Sequence, residues 1–472
     1  MELHIFFFPF MANGHLIPMA DMAKLFAMRG VRASILTTKN NASFINSSVE
    51  KAKSSGYPID ILLLDFPSAA GGLPEGVENI NVLTSMEGVT LQVVDSFFLV
   101  TASLQTPFEQ LLEEHRPDCV IADSFFYWAN ESCSKFRIRR FLFNGTSAFA
   151  RCVSACVQKH RMDSSASEDF LVPELPGNIT LSKSQLQVSD RLADEGTLSP
   201  MFKKMAKSDV ESDGVVFNSF REIEKPYDEF FENVTGMKAW FVGPVSLCNS
   251  GVEEKATRGG HVADLACLRW LDGRRKNSVV LVSFGSVAKI SDSQLKEIAT
   301  ALEACGCGFI WVVRKKRKEG KEEEWLPLGF EERTAERGLI VRDWAPQVLI
   351  LEHEAVGAFV THCGWNSTLE GIAAGKTMVT WPVSAEQFYN EKMVTEILKI
   401  GVPVGSKKIV RLYGDSVGRE AIEKAISAVM AGDEAEAMRM RAKRLSEMAR
   451  AALEEGGSSF VSITDYIKNI KF

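Results

Sequence analysis

The chain has 472 residues, 46% of them hydrophobic, with a formal net charge of −7, which is length and apolar content enough for two domains with substantial cores. That mild acidity, without a basic stripe or a nucleic-acid motif, argues against nucleic acid as a partner. No apolar run reaches the roughly 18 residues needed to cross a bilayer, and the first residues lack the basic region, apolar stretch and small-residue cleavage site of a signal peptide, so a cytoplasmic protein with no integral membrane segment is expected.

Leu3 to Pro9 is an apolar run that reads as a strand. It leads through Phe10-Met11-Ala12-Asn13-Gly14-His15 into a helix whose Met19, Met22, Leu25 and Phe26 recur at helical spacing. His15 stands at the tip of this glycine-containing loop, where an imidazole titrating near neutrality suits a general base. Val31 to Thr37 and Ile59 to Leu64 read as further strands. Cys119 to Ala122 reads as another and puts Asp123 at its C-terminal end, near His15 if the two strands share a sheet; Asp118 precedes the run and falls at the wrong end. A catalytic imidazole needs a carboxylate on its other ring nitrogen, to fix the tautomer and stabilise the imidazolium as it forms. Asp123 is the best-placed candidate. The aromatic cluster Phe125, Phe126, Tyr127 and Trp128 is either core packing or, in part, the wall of an apolar acceptor pocket. Met86 in residues 86–98, Phe143 in residues 143–149 and Leu186 in residues 185–188 are further candidates for that wall.

Arg140 to Phe143 and Gly214 to Asn218 complete the strands of the first half. Gly243-Pro244-Val245 then leads into residues 249–261, rich in Gly, Glu, Lys and Ser, which read as a linker. The second half repeats the alternation, with strands at Val279 to Phe284, Gly308 to Val313, Leu339 to Arg342, Ala358 to Thr361 and Met378 to Trp381. Two doubly wound α/β sheets are expected. After the first of these strands, Ser283-Phe284-Gly285-Ser286 is a glycine turn whose Ser286 hydroxyl suits an anion site. The basic run Arg314 to Lys318, followed by Glu322 to Glu324, reads as one solvated loop. The nine cysteines are odd in number and scattered, with Cys305-Gly306-Cys307 the one close pair, which fits reduced thiols in a cytosolic protein.

The most informative stretch runs from Trp344 to Gln387. Val356 to Thr361 reads as a buried parallel strand, and His362 to Ser367 turn the chain into the next helix. Backbone amides at a helix N-terminus, with His362, Asn366 and Ser367 beside them, make an anion site suited to a diphosphate. Gly364 permits close approach of the backbone. Trp344 offers an aromatic face for a base, and Glu370, one turn into the helix, suits the two hydroxyls of a ribose. Glu386 and Gln387 lie just past a strand end and suit sugar hydroxyls.

Trp344 to Gln387 resembles, without a gap, the signature box of plant secondary-product glycosyltransferases, and Ala12-Asn13-Gly14-His15-Leu16-Ile17-Pro18 resembles their N-terminal signature. The resemblance implies the GT-B fold, two Rossmann-like parallel-sheet domains facing across a cleft. Residues 1–245 would bind the acceptor, 246–262 would link, 263–455 would bind the UDP-sugar, and a final helix within 456–472 would cross back to the first domain. It implies that His15 deprotonates the acceptor with Asp123 behind it. Trp344 would stack on uracil, with Ala345 and the backbone near Gln347 at its edge. Glu370 would hold the ribose, His362, Asn366 and Ser367 the phosphates, with Ser286 in support, and Trp365, Glu386 and Gln387 the sugar. A glutamine at the last position of the box accompanies UDP-glucose in this family, whereas histidine more often accompanies galactose. Gly375-Lys376-Thr377 departs from the family's glycine, aliphatic residue and proline, so the rigid turn that proline would give is missing.

The expected activity is therefore inverting, metal-independent O-glucosylation of a hydrophobic plant metabolite, with UDP-glucose as co-substrate and no cofactor. Ala385-Glu386-Gln387-Phe388-Tyr389-Asn390-Glu391-Lys392 and Ile5-Phe6-Phe7-Phe8-Pro9-Phe10-Met11-Ala12 resemble the subgroup acting on flavonoids and on triterpenoid or steroidal sapogenins. Sapogenins or sterols rank first as acceptors and flavonoids close behind; another UDP-sugar, or a phenolic or hormone acceptor, is the alternative. A monomer is the default. No Asp-x-Asp triplet is present to hold a divalent cation. A glycoside hydrolase would need a pair of carboxylates where Glu386 stands beside an uncharged Gln387, and a dehydrogenase would need Gly-x-Gly-x-x-Gly where Phe10 to His15 stand. A non-catalytic sugar-nucleotide binder would have no use for His15 or Asp123.

Overall fold

The apolar runs become two parallel sheets. The structure, a computed structural model, describes residues 3–67, 72–162, 168–191, 196–260, 265–286, 288–315, 324–342, 344–411 and 413–471. The strands in chain order are β1 (His4–Phe8), β2 (Arg32–Thr38), β3 (Ile59–Leu64), β4 (Cys119–Asp123), β5 (Arg139–Phe143), β6 (Asp169–Leu171), β7 (Thr180–Ser182), β8 (Val215–Phe217) and β9 (Ala239–Phe241). They continue with β10 (Val279–Ser283), β11 (Gly308–Val313), β12 (Gly338–Arg342), β13 (Val356–Thr361), β14 (Thr377–Thr380) and β15 (Gly401–Pro403).

The first compact unit comprises Met1–Ala155, Leu192–His261 and Ala451–Phe472. Its sheet has the order β3-β2-β1-β4-β5-β8-β9. All five residues of β1 are buried, because helices cover both faces of a parallel sheet. Ile5 and Phe7 enter the core on one side, and Phe6 and Phe8 enter the core on the other. The chain winds outward from β1 in one direction, then returns to start β4 on the other side, with Phe8 opposite Ala122. The strand order therefore reverses between β1 and β4, and open α/β sheets collect ligands at the C-terminal ends of such a pair. The last helix, Ser458–Lys471, buries Tyr466 against Phe26, Phe141 and Trp240.

The second unit comprises Cys156–Arg191 and Val262–Arg450. Its sheet has the order β12-β11-β10-β13-β14-β15, and its reversal lies between β10 and β13, where Ser283 pairs with Thr361. The antiparallel pair β6-β7 belongs to the same unit.

Two expected boundaries change. Residues 156–191, read as part of a domain spanning 1–245, group with the second unit. Tyr389 Oη donates to Asp190 (2.9 Å), and the backbone N–H of Ile409 donates to the Ser184 carbonyl (2.9 Å). Residues 246–260, read as linker, group with the first unit and contain short helices at Val245–Cys248 and Val252–Ala256. They are fastened to the helix Asn13–Ala27 by the buried pair Lys24–Glu254 and by Asp21, which accepts from Asn249 (2.8 Å) and Arg258 (2.7 Å). No helix among the described residues is long and apolar enough to cross a membrane.

Candidate functional site

In the first unit, β1 ends at Phe8 and the helix Asn13–Ala27 begins five residues later, with His15 in its first turn. Asn13 is tied down by two side chains: its N–H donates to Asn81 Oδ1 (2.7 Å), and Asn79 Nδ2 donates to its Oδ1 (3.1 Å). Asp123 closes β4 with no exposed surface. Because β1 and β4 are neighbours, the two side chains meet, and His15 Nδ1 lies 2.7 Å from Asp123 Oδ2. Asp123 Oδ1 accepts from the Phe125 N–H (3.1 Å), so the carboxylate is held at both oxygens. Phe10, Phe125 and Phe143 stand edge-on to the imidazole, at centroid distances of 5.8, 5.7 and 6.5 Å. Gly145, with φ +70°, covers the ring so closely that an added Cβ would stand 3.3 Å from His15 Cε1.

This arrangement sorts the expected acceptor-pocket residues. Phe125 is half-buried beside His15, packed in tilted contact with Phe98 and Phe10. Met86, which caps a short helix at Ile80–Ser85, is exposed. Phe126 and Phe143 have no accessible surface. Phe126 stacks on Phe8 at 4.0 Å, so it belongs to the core, and Phe143 packs beneath the His15 ring; neither lines a pocket. Leu186 is fully buried within the second unit.

In the second unit, β13 ends at Thr361, and four residues later the helix Trp365–Ala373 begins. Cys363 makes the intervening turn in the left-handed region, φ 63°, a conformation that costs a residue with a Cβ about 1–2 kcal/mol. The His362 imidazole lies between two glycines. A Cβ on Gly285 would stand 2.4 Å from its Cε1, and one on Gly364 would stand 2.4 Å from its Nε2. Its Nδ1 is buried and has no hydrogen-bond partner among the described residues. Burial, with the Arg314 guanidinium adding repulsion, lowers the ring's pKa to about 4, so at neutral pH it is an uncharged imidazole with one donor and one acceptor. Arg314 Nη1 also donates to the Ser286 carbonyl. A buried ring nitrogen beside a helix N-terminus, with a guanidinium nearby, can bind an anion.

Gln347 opens the helix Gln347–Glu352, and its side chain is a hub. It accepts from Ser283 Oγ (3.0 Å) and donates to Ser367 Oγ (3.1 Å) and Glu370 Oε2 (2.9 Å). The residue expected at the edge of a base thus holds the expected ribose carboxylate in place. Trp344 is half-buried, Ala345 is buried, and Asn366 is half-buried in the helix's first turn. The Trp365 indole is only 2% exposed, so it packs inside the unit rather than facing a sugar. Gln387 uses its side-chain carbonyl to accept from the N–H groups of Val383 and Ser384 (both 2.9 Å), which leaves its NH2 for a ligand. Glu386 accepts from Asn390 Nδ2 (3.2 Å), and the same amide donates to the Cys363 carbonyl (2.9 Å), joining the two loops.

Sequence reasoning missed Gly145, Arg314 and Asn390, and read Gly285 only as a turn residue. Arg314 was assigned to a solvated loop, of which 316–323 lie outside the described residues. Asn390 carried a signal, since it stands four residues after Glu386 on a helix.

Residues 265–446 match the family described as UDP-glucoronosyl and UDP-glucosyl transferase. The chain is 50% identical to the scopoletin glucosyltransferase of Nicotiana tabacum, over 99% of this chain and 98% of that one. It is also 50% identical to the UDP-glucose flavonoid 3-O-glucosyltransferase 7 of Fragaria ananassa, over 98% and 95%. Among solved structures it is similar to Glycyrrhiza uralensis UGT73P12 complexed with glycyrrhetinic acid 3-O-monoglucuronide, with 37% identity, a TM-score of 0.92, and coverage of 100% of this chain and 96% of that one.

Proposed function

The chain belongs to the UDP-glucuronosyl and UDP-glucosyl transferases, and from that premise we propose that it transfers glucose from UDP-glucose, with inversion and without a metal ion, to a hydroxyl of a hydrophobic plant metabolite. It is a glycosyltransferase of GT-B fold, and a UDP-sugar is the co-substrate of its family. The finer reading rests on one observation above the others, the 2.7 Å contact between His15 Nδ1 and Asp123 Oδ2 at the strand-order reversal of the first sheet.

With Asp123 on Nδ1, the basic nitrogen of His15 is Nε2. It takes the proton of the acceptor hydroxyl while that oxygen attacks the anomeric carbon from the face opposite UDP, and the buried carboxylate stabilises the imidazolium that forms. Phe125 and Phe98 give an acceptor an apolar surface beside the base. On the second unit, the neutral His362, the first turn of the helix Trp365–Ala373 and Arg314 take up the charge of the departing UDP. Glu370, oriented by Gln347, accepts from the ribose hydroxyls, and Trp344 stacks on the base. Glu386 and the Gln387 amide bind the glucose.

For the acceptor, the Nicotiana and Fragaria relatives carry names that specify scopoletin and a flavonoid, and the Glycyrrhiza structure holds glycyrrhetinic acid 3-O-monoglucuronide. These favour a planar phenolic or a triterpenoid. The test is a mass-resolved assay of the purified protein with UDP-glucose, UDP-galactose, UDP-xylose and UDP-glucuronate against pooled coumarins, flavonoids and sapogenins, with EDTA present. A hexose adduct with UDP-glucose is expected. An adduct with another donor alone, or only after divalent cation is restored, contradicts the proposal.

A further inference from the structure

Cys305, Gly306 and Cys307 join the helix Asp292–Ala304 to β11. They lie at the edge of the second sheet where the strands begin, opposite the strand ends that carry Ser286 and His362. Gly306 turns the chain at φ +66°, with no atom within 4 Å of the place a Cβ would occupy. The turn brings the two side chains together, Sγ to Sγ 3.1 Å. Disulfide formation needs the sulfurs to close by about 1 Å, to ~2.0 Å, and an unobstructed glycine turn permits that movement. Both thiols are half-buried and reachable, whereas Cys119, Cys133, Cys152, Cys156, Cys267 and Cys363 are buried. Cys248 is half-buried too, but burial and the neighbouring Asp21 carboxylate push its thiol well above its ordinary value.

We propose that Cys305 and Cys307 are a modification site, a dithiol that closes reversibly to an intramolecular disulfide by exchange with low-molecular-weight disulfides such as glutathione disulfide. Cys305 is the attacking sulfur. The hydrogen bond with Cys307 Sγ, helped by Cys307's backbone and by Arg337, holds its thiol below the ordinary value against the opposing effect of burial, and Cys307 is pushed up in turn. The Arg337 guanidinium is fixed nearby by donating to the carbonyls of Leu302 (2.9 Å), Cys307 (3.0 Å) and Glu303 (2.6 Å). The Cys305 thiolate attacks one sulfur of glutathione disulfide, forming a mixed disulfide and expelling one glutathione thiolate. Cys307 then loses its proton to solvent and attacks the Cys305 sulfur. The Cys305–Cys307 bond forms, the second glutathione leaves, and one disulfide has been reduced for the two protein thiols oxidised.

The experiment is intact-mass and peptide mass analysis of the full chain after incubation with glutathione disulfide, then with dithiothreitol. The wild type is expected to lose two hydrogens, carry no glutathione, and regain both hydrogens on reduction. Cys307→Ser, which keeps the attacking thiol and lacks the resolving one, is expected to retain one glutathione at Cys305. Cys305→Ser is expected to take up none in the same time. A wild type that fails to react, or that keeps glutathione on either sulfur, overturns the proposal. So does Cys305→Ser reacting as fast as Cys307→Ser.

Discussion

His362 is held in place by what its neighbours lack. A side chain at position 285 or 364 would occupy the space of its ring, and the left-handed φ of +67° at Gly285 adds backbone strain to any replacement. Gly285→Ala should therefore displace the imidazole and forfeit one hydrogen bond to the charged diphosphate, about 1.5–3 kcal/mol, so that UDP binding weakens roughly 10- to 100-fold. Calorimetric titration with UDP measures this; binding at wild-type strength by a folded variant would contradict the role given to the ring. A second residue-scale prediction concerns Glu391, buried in the helix Gln387–Lys392, with Thr380 Oγ1 donating to it at 2.7 Å. Burial raises its pKa from 4.5 to about 7. The folded state keeps a proton that the unfolded state has released between those values, so this group's stabilising contribution is present below pH 4.5 and is lost as pH rises to 7. Glu391→Gln should gain on the wild type across that window, by on the order of 3 kcal/mol; denaturant unfolding at both ends would show it, and a pH-independent difference would refute it. His15 and Asp123 were legible as candidates because each follows an apolar strand run. Gly145 was not, and Gly285 was read only as a turn, because a glycine's need for a bare Cα against a ring appears only once that ring is in place.

At the level of elements, the buried strands were the most legible feature. Ile59–Leu64 and Gly308–Val313 agree with the sequence reading at both ends, and the other long strands differ by a residue or two. The three-residue edge strands Ala239–Phe241 and Gly401–Pro403 escaped notice. The turn at Gly375-Lys376-Thr377 corrects an expectation. Proline's rigidity is absent, but Lys376 Nζ reaches under the sheet to donate to the carbonyls of Val356 (2.8 Å) and His353 (3.2 Å), and Thr377 Oγ1 donates to Gly357 (3.1 Å). These bonds fasten the turn to the loop before β13 and to the first two residues of that strand. The segment 156–191 groups with the second unit through contacts of another kind. Its attachment depends on the Asp190 carboxylate, which accepts from Tyr389, Gln158 and Gln187 (all 2.9 Å), and a long-range side-chain contact of that kind has no local pattern.

For the whole molecule, the first unit is assembled from three separate stretches of chain, of which the last is supplied by residues after 450. The helix Ser458–Lys471 covers Phe26, Phe141 and Trp240 with Tyr466, and Trp240 Nε1 donates to Asp465 (2.9 Å). Ile463 and Tyr466 are both fully buried. At about 1.5–3 kcal/mol for each such side chain, truncation before Ser458 should remove at least about 3 kcal/mol from the first unit. Thermal unfolding of the truncated chain should show a lower midpoint or aggregation, and an unchanged midpoint would mean that the helix is dispensable. The proposed role of His15 is tested most directly by His15→Ala, assayed with UDP-glucose and an acceptor that the wild type glucosylates. Loss of general-base assistance predicts a fall in kcat of roughly a hundred- to ten-thousandfold, with the KM for UDP-glucose nearly unchanged because the residues proposed to bind the donor lie on the second unit. Turnover near the wild-type rate would contradict the account at its centre.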